Sequence, residues 1–186
     1  MGVAYKNFWS LNTDEAVVTG ILKHGLKNDV GVYMPMDAQM KGIDLVALNV
    51  SNRKMVSIQV KGSRAYEPKL IELKRYGAGS CGWFFFPREV VEKASADFFI
   101  FLVYVIRENN KTGRRLIEPH TITIPTKKLQ EFCKANKKLH GSNRYSFYFW
   151  VNPDTCKSFD IRDINYDLSD YLDSKGIDRL SSMLDN

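Results

Sequence analysis

Residues 98–106, Phe-Phe-Ile-Phe-Leu-Val-Tyr-Val-Ile, form an unbroken apolar run rich in aromatic and β-branched side chains. Successive side chains of a strand point to opposite faces of its sheet, so a strand of this composition is stable only when both faces are covered. The run is about half the ~18 residues expected of a membrane-spanning helix. It therefore reads as a central strand, and the rest of the chain must supply a layer on each side of it.

A chain of 186 residues with 44% apolar content can do this within one domain, here taken as residues 1–186. The amino-terminal segment lacks the long apolar stretch of a signal peptide, so a soluble, cytoplasmic protein with no membrane partner is expected. Cys81, Cys133 and Cys156 lie far apart, as do His24, His120 and His140, which argues against zinc and against a disulfide framework.

The pattern around the central run is mixed. Asn12 is placed to cap a helix reaching about His24, with Glu15 at the third helical position and an apolar stripe of Val17, Val18, Ile21 and Leu22. A short strand is expected at 30–34, then a hairpin of two β-rich runs, 43–50 and 55–60, about the polar turn 51–54. A loop with a short helix near 70–75, a strand at 83–86 and a helix over 88–96 precede the central run. A strand at 121–124, a helix from about 125 to 138, a strand at 145–151 and an acidic, partly helical tail follow it. This order predicts mixed α/β structure around one sheet, with a core over about 1–125 and a carboxy-terminal extension over about 126–186.

The hairpin carries the chemistry. Antiparallel pairing about Asn52 and Arg53 sets Leu48 opposite Ser57, Val46 opposite Gln59 and Asp44 opposite Lys61. Directly opposed residues share a sheet face, so Asp44, Gln59 and Lys61 are expected to emerge together. A carboxylate and an amide oxygen are hard ligands of the kind magnesium takes, with water completing the shell. A neighbouring ammonium can orient an attacking water and stabilise charge on a phosphoryl oxygen. Glu15 can complete the shell if its helix packs on the hairpin, although its capping position accounts for a glutamate equally well.

Asp44 together with Gln59-Val60-Lys61 resembles the PD-(D/E)xK nuclease superfamily, in its variant with glutamine at the second acidic position. The order of elements from Glu15 through the central run is similar to the helix, three-stranded meander, helix and strand of that family. The resemblance implies a restriction-endonuclease-like sheet flanked by helices, and magnesium-dependent hydrolysis of DNA phosphodiesters, with manganese as a substitute. Ile43 stands where the family's proline would be, and Gln59 is neutral where most active members carry an acid.

Other readings stay open. Asp44 and Lys61 can be a simple cross-strand ion pair, and the fold can serve as a non-catalytic module that holds nucleic acid or a protein. Lys41, Arg64, Lys74 and Arg75 flank the site in sequence as candidate contacts to backbone phosphates. The aromatic run 145–150 fits a sheet edge or a dimer contact, or a stacking surface for bases. Residues 160–186 hold seven aspartates against three basic residues, a net −4, so the preceding 159 residues are net +10 within a total of +6. A basic body suits a polyanion. The acidic tail is expected to serve assembly or to shield that basic face. A homodimer is a natural assembly for cutting both strands of a duplex.

Overall fold

The computed structural model describes residues 13–35, 42–109, 112–141 and 143–185. Helix α1 spans Thr13–Gly25 and leads into β1 (Val30–Tyr33), β2 (Leu45–Asn49) and β3 (Met55–Gly62). Helix α2 (Leu70–Tyr76), β4 (Ser80–Pro87) and the single-turn helix α3 (Glu89–Glu92) precede β5 (Phe98–Asn109) and β6 (Arg114–Pro125). Then come α4 (Thr126–Asn136), β7 (Leu139–His140), β8 (Arg144–Asn152), β9 (Lys157–Asp160), β10 (Tyr166–Asp167) and α5 (Asp173–Asp185). Among the described residues no helix is long and apolar enough to cross a membrane.

The chain is α/β, but it builds two sheets where one was expected. The first is mixed, in the order β1-β2-β3-β5-β6, with β3 parallel to β5 and every other pair antiparallel. The second is antiparallel, in the order β10-β9-β8-β4, and β7 adds to β8. The central run behaves as its composition demands, since Phe98 through Val103 are all fully buried. Phe98, Ile100 and Leu102 face a core shared with Val18 and Leu22 of α1 and with Ile177, Leu180 and Leu184 of α5. Phe99, Phe101 and Val103 face a second core with Phe84 and Phe86 of β4, Phe147 and Phe149 of β8, and Leu129 of α4.

The aromatic run 145–150 is thus neither a sheet edge nor an exposed stacking surface. It lies in β8 between β4 and β9, and alternation turns Tyr145, Phe147 and Phe149 into the core. The acidic tail is helical in part, as expected, and it is packed into the fold. Asp173, Asp178 and Asp185 lie in α5, whose apolar stripe completes the first core beside α1, while Asp160 and Asp163 pair with Lys137. Asn52 Nδ2 donates to the carbonyl of Leu184 at 2.6 Å, tying the β2–β3 turn to the last turn of α5.

That turn also corrects the hairpin register. Asn49 pairs across with Lys54, its N–H donating to the Lys54 carbonyl at 2.9 Å. The loop therefore has four residues, and every pair shifts by two: Leu45 faces Ile58 and Val46 faces Ser57. Asn49 sets this length, because its Oδ1 accepts from the N–H groups of Ser51 (2.9 Å) and Asn52 (3.2 Å) while Arg53 adopts φ 63°. Asparagine side chains make such turns readily. Asp44 is consequently not opposite Lys61.

The predicted helix over 88–96 shrinks to α3, and Pro87 ends β4 instead of starting a helix. Strand β6 is far longer than 121–124 and pairs with β5 along its whole length. Its first half lacked the apolar alternation of a buried strand because it projects beyond the core. There Arg107 pairs with Glu118 and with Asp154.

One polar cluster is centred on a fully buried lysine side chain. The Lys137 side chain, 0% exposed, contacts Asp160 and Asp163 at 2.9 Å each, and His140 Nε2 lies 2.9 Å from Asp163. Burial pushes the Asp160 carboxyl up. Burial acts the same way on Asp163, but its bonds with Lys137 and His140 outweigh it and hold that carboxyl below its ordinary value. Removing one partner from such a group leaves a buried charge uncompensated. Lys137→Met is therefore expected to cost about 3–5 kcal/mol of stability, read by urea denaturation; a loss within error of zero would contradict this account.

Candidate functional site

Strand β3 sorts its side chains by alternation. Val56, Ile58 and Val60 point to the helical face, into the core with α1 and α5. Ser57, Gln59 and Lys61 take the opposite face. Ser57 is held structurally, its N–H and Oγ both reaching Asp97 Oδ2 at 2.8 and 2.6 Å. Gln59 and Lys61 lie on the floor of a cleft of about 430 Å³, walled by residues 83–86 of β4 and by Val90.

Asp44 reaches the same stretch by another route. Its N–H donates to the carbonyl of Ile58 at 2.8 Å, although Ile58 is the register partner of Leu45. Two residues thus meet one across the pair, the arrangement of a bulge, which re-aims side chains where a strand ends. The Asp44 Oδ2 then accepts the N–H of Val60 at 2.8 Å. The carboxylate therefore lies beside the residue between Gln59 and Lys61, and among the described residues its Oδ1 accepts no hydrogen bond. After the change of register, Asp44 is tied to β3 through the Val60 amide and not by standing opposite Lys61.

Gln59 is 7% exposed, and its Oε1 is buried without a hydrogen-bond partner among the described residues. An unmade bond of this kind typically costs about 1–3 kcal/mol, so the oxygen is a group in want of a partner. A cation or a water can supply that partner. Asp44 and Gln59 together offer hard oxygen donors of the type magnesium accepts. Among the described residues no three His, Cys, Asp or Glu side chains gather as a metal-binding group, so water would have to fill much of such a shell.

The first turn of α1 sits at the same end of the sheet. One acid of that turn lying against β3 is Asp14, which the sequence analysis did not single out. A Cβ built on Gly62 would overlap the Asp14 carboxylate, and Tyr104 donates its hydroxyl to Asp14 Oδ1 at 3.0 Å. Burial and the adjoining carboxylate push the Tyr104 hydroxyl up to about 12. Glu15 is partly buried one position further on, and Thr19 Oγ1 donates to its carbonyl at 2.8 Å, as helix geometry allows. A glycine directly after Gln59-Val60-Lys61, with two acids opening α1, was the available signal for Asp14.

The candidate phosphate contacts scatter. Arg64 is exposed just beyond β3, and Lys74 and Arg75 are exposed on α2. The Arg75 guanidinium lies 5.2 Å from the Tyr76 ring centroid, and that ring packs on Trp150 and Phe159. Lys41, and the Asn12 cap proposed for α1, lie outside the described residues.

Comparison with models of protein families, with curated proteins and with solved structures finds no match in any of the three.

The contact between Asp14 and Gly62 generates a prediction with an internal control. Gly62→Ala is expected to cost about 1–3 kcal/mol by overpacking, and much less in an Asp14→Ala background where the space is free. Denaturant titrations of the four proteins of that cycle measure the coupling. Equal penalties in both backgrounds would mean that Asp14 does not occupy this space.

Proposed function

We propose that this protein is a magnesium-dependent endonuclease of PD-(D/E)xK type that hydrolyses DNA phosphodiester bonds, with a restriction-endonuclease-like core over about residues 1–125. The buried Oε1 of Gln59, without a partner among the described residues, on the strand whose Val60 N–H holds the Asp44 carboxylate, is the observation that carries this reading. The α1-β1-β2-β3 order, with an antiparallel meander and then the parallel pair β3–β5, supports the fold assignment.

Magnesium, with manganese as a substitute, would be held by Asp44 and Gln59 and would supply Lewis-acid polarisation of the scissile phosphate and a more acidic water. The protein's own groups do the rest. The Val60 N–H fixes one oxygen of Asp44 and so orients the other. Lys61, on the cleft floor beside Gln59, orients the nucleophilic water and stabilises charge developing on a phosphoryl oxygen. Glu15 contributes from α1 through a water. Arg64, Lys74 and Arg75, and Lys41, grip backbone phosphates.

Lys61→Ala is expected to lower DNA cleavage by at least about 100-fold, the scale of losing one charge-stabilising donor, with the thermal midpoint near that of the parent. Cleavage retained by that variant would remove Lys61 from the reaction. Glu15→Gln and Asp14→Asn, assayed side by side, assign the helix acid: loss in the first alone supports Glu15, and loss in the second alone moves the role to Asp14.

A second reading has its own observation. Gln59 is neutral, and among the described residues no three His, Cys, Asp or Glu side chains gather as a metal-binding group, as befits a nuclease-fold module that binds nucleic acid or protein without turnover. Calorimetric titration with magnesium separates the two. Ion binding that disappears in Asp44→Ala supports the enzyme, and DNA binding that ignores magnesium supports the module.

A further inference from the structure

Strand β4 is the edge of its sheet, and alternation gives it two characters. Phe84 and Phe86 turn inward onto Phe101 and the second core. Trp83 and Phe85 turn outward, 50% and 45% exposed. Large aromatics half open to water stand out here, because every described phenylalanine other than Phe85 and Phe159 is buried.

The outward pair is held in place. The Trp83 indole N–H donates to Ser146 Oγ at 3.1 Å, on the neighbouring strand β8, and its backbone N–H donates to Ser63 Oγ at 2.7 Å. With its polar edge engaged, the indole has only its ring face left for recognition. Phe85 carries the Arg144 guanidinium 5.2 Å from its ring centroid. Both aromatics also border the cleft whose floor is Gln59 and Lys61.

An unpaired base presents a flat π-face, and the strand that carries it presents phosphates. Indole and phenyl rings answer the first, and Arg144 and Lys61 answer the second. Along a duplex the bases are stacked on one another, so it offers such a surface only its two end pairs. A purely apolar partner would leave Arg144 and the Gln59 amide without counterparts. We infer that Trp83 and Phe85 form a stacking ledge for unpaired bases of a nucleic-acid strand, whose backbone passes Arg144 and enters the Gln59–Lys61 cleft. The inference deepens the nuclease reading and rests on it for the direction of the strand: its substrate would be single-stranded, flapped or junction nucleic acid, cut beside the stacked bases.

The test is binding in EDTA, where hydrolysis plays no part. Fluorescence anisotropy of a labelled oligothymidylate is compared with that of a blunt duplex of equal length, for the parent, Trp83→Ala, Phe85→Ala and Trp83→Phe. The single strand is expected to bind more tightly than the duplex. Each alanine variant should weaken it by about five- to hundredfold, as expected for losing one stacked base, with duplex binding little changed. Trp83→Phe should restore most of the affinity while abolishing the quenching of tryptophan emission that the oligonucleotide causes.

Single-strand affinity unchanged in both folded alanine variants would overturn the inference. So would failure of every oligonucleotide to bind, which would leave the ledge to a protein partner. Hydrolysis is scored separately in magnesium. Trp83-dependent binding without any cleavage keeps the ledge and sinks the nuclease reading. Cleavage indifferent to Trp83 and Phe85 does the reverse.

Discussion

The two-sided burial of β5 is the constraint on which the rest of this structure depends. Its side chains alternate between two apolar environments, so neither face can be left to water. On one side α1 and α5 close over Phe98, Ile100 and Leu102. On the other, the second sheet and α4 close over Phe99, Phe101 and Val103. Each layer buries several aromatic or branched side chains, and burial of one such side chain contributes about 1.5–3 kcal/mol.

The position of the candidate site follows from this arrangement. Because β3 lies parallel to β5 in the same sheet, its own alternation is dictated by the two cores. Val56, Ile58 and Val60 must face the helices, which sends Gln59 and Lys61 to the side where β4 closes. Gln59 sits opposite Phe99 in register, in a setting too dry to hydrate its amide oxygen freely. The Lys137 cluster is instructive by contrast. There each buried charge has found a partner within the protein, whereas Gln59 Oε1 borders an open cleft and has none among the described residues. Buried polar groups are rarely left unmade without a reason.

Several features were legible from residues alone because they depend on local pattern. The double-faced strand, the first helix with Glu15 in its opening turn and the hairpin itself came from periodicity and turn chemistry, and a short helix near 70–75 was expected as well. The two-residue shift of the hairpin was not legible. A one-residue slip would have exchanged faces and betrayed itself in the apolar pattern, whereas a two-residue slip preserves that pattern. Only the Asn49 side chain, folding back on Ser51 and Asn52, chose between the registers. Asp14 was missed for a related reason. Which of two neighbouring acids lies over Gly62 depends on how α1 rotates against β3, and the Asp14 carboxylate takes that space.

The sequence by itself determined that this chain needs a strand covered on both faces, that helices and strands are mixed along it, and that a β2–β3 hairpin precedes that strand. These are consequences of side-chain periodicity, which a linear reading can detect. Tertiary structure alone decided that the covering layer is a second sheet, that the acidic tail is an amphipathic helix completing the first core, and that Trp83 and Phe85 remain outside. An aromatic side chain in a strand is equally suited to a core or to an open face. Which one it meets depends on the strand laid beside it, and that choice is made by chain segments far apart in sequence.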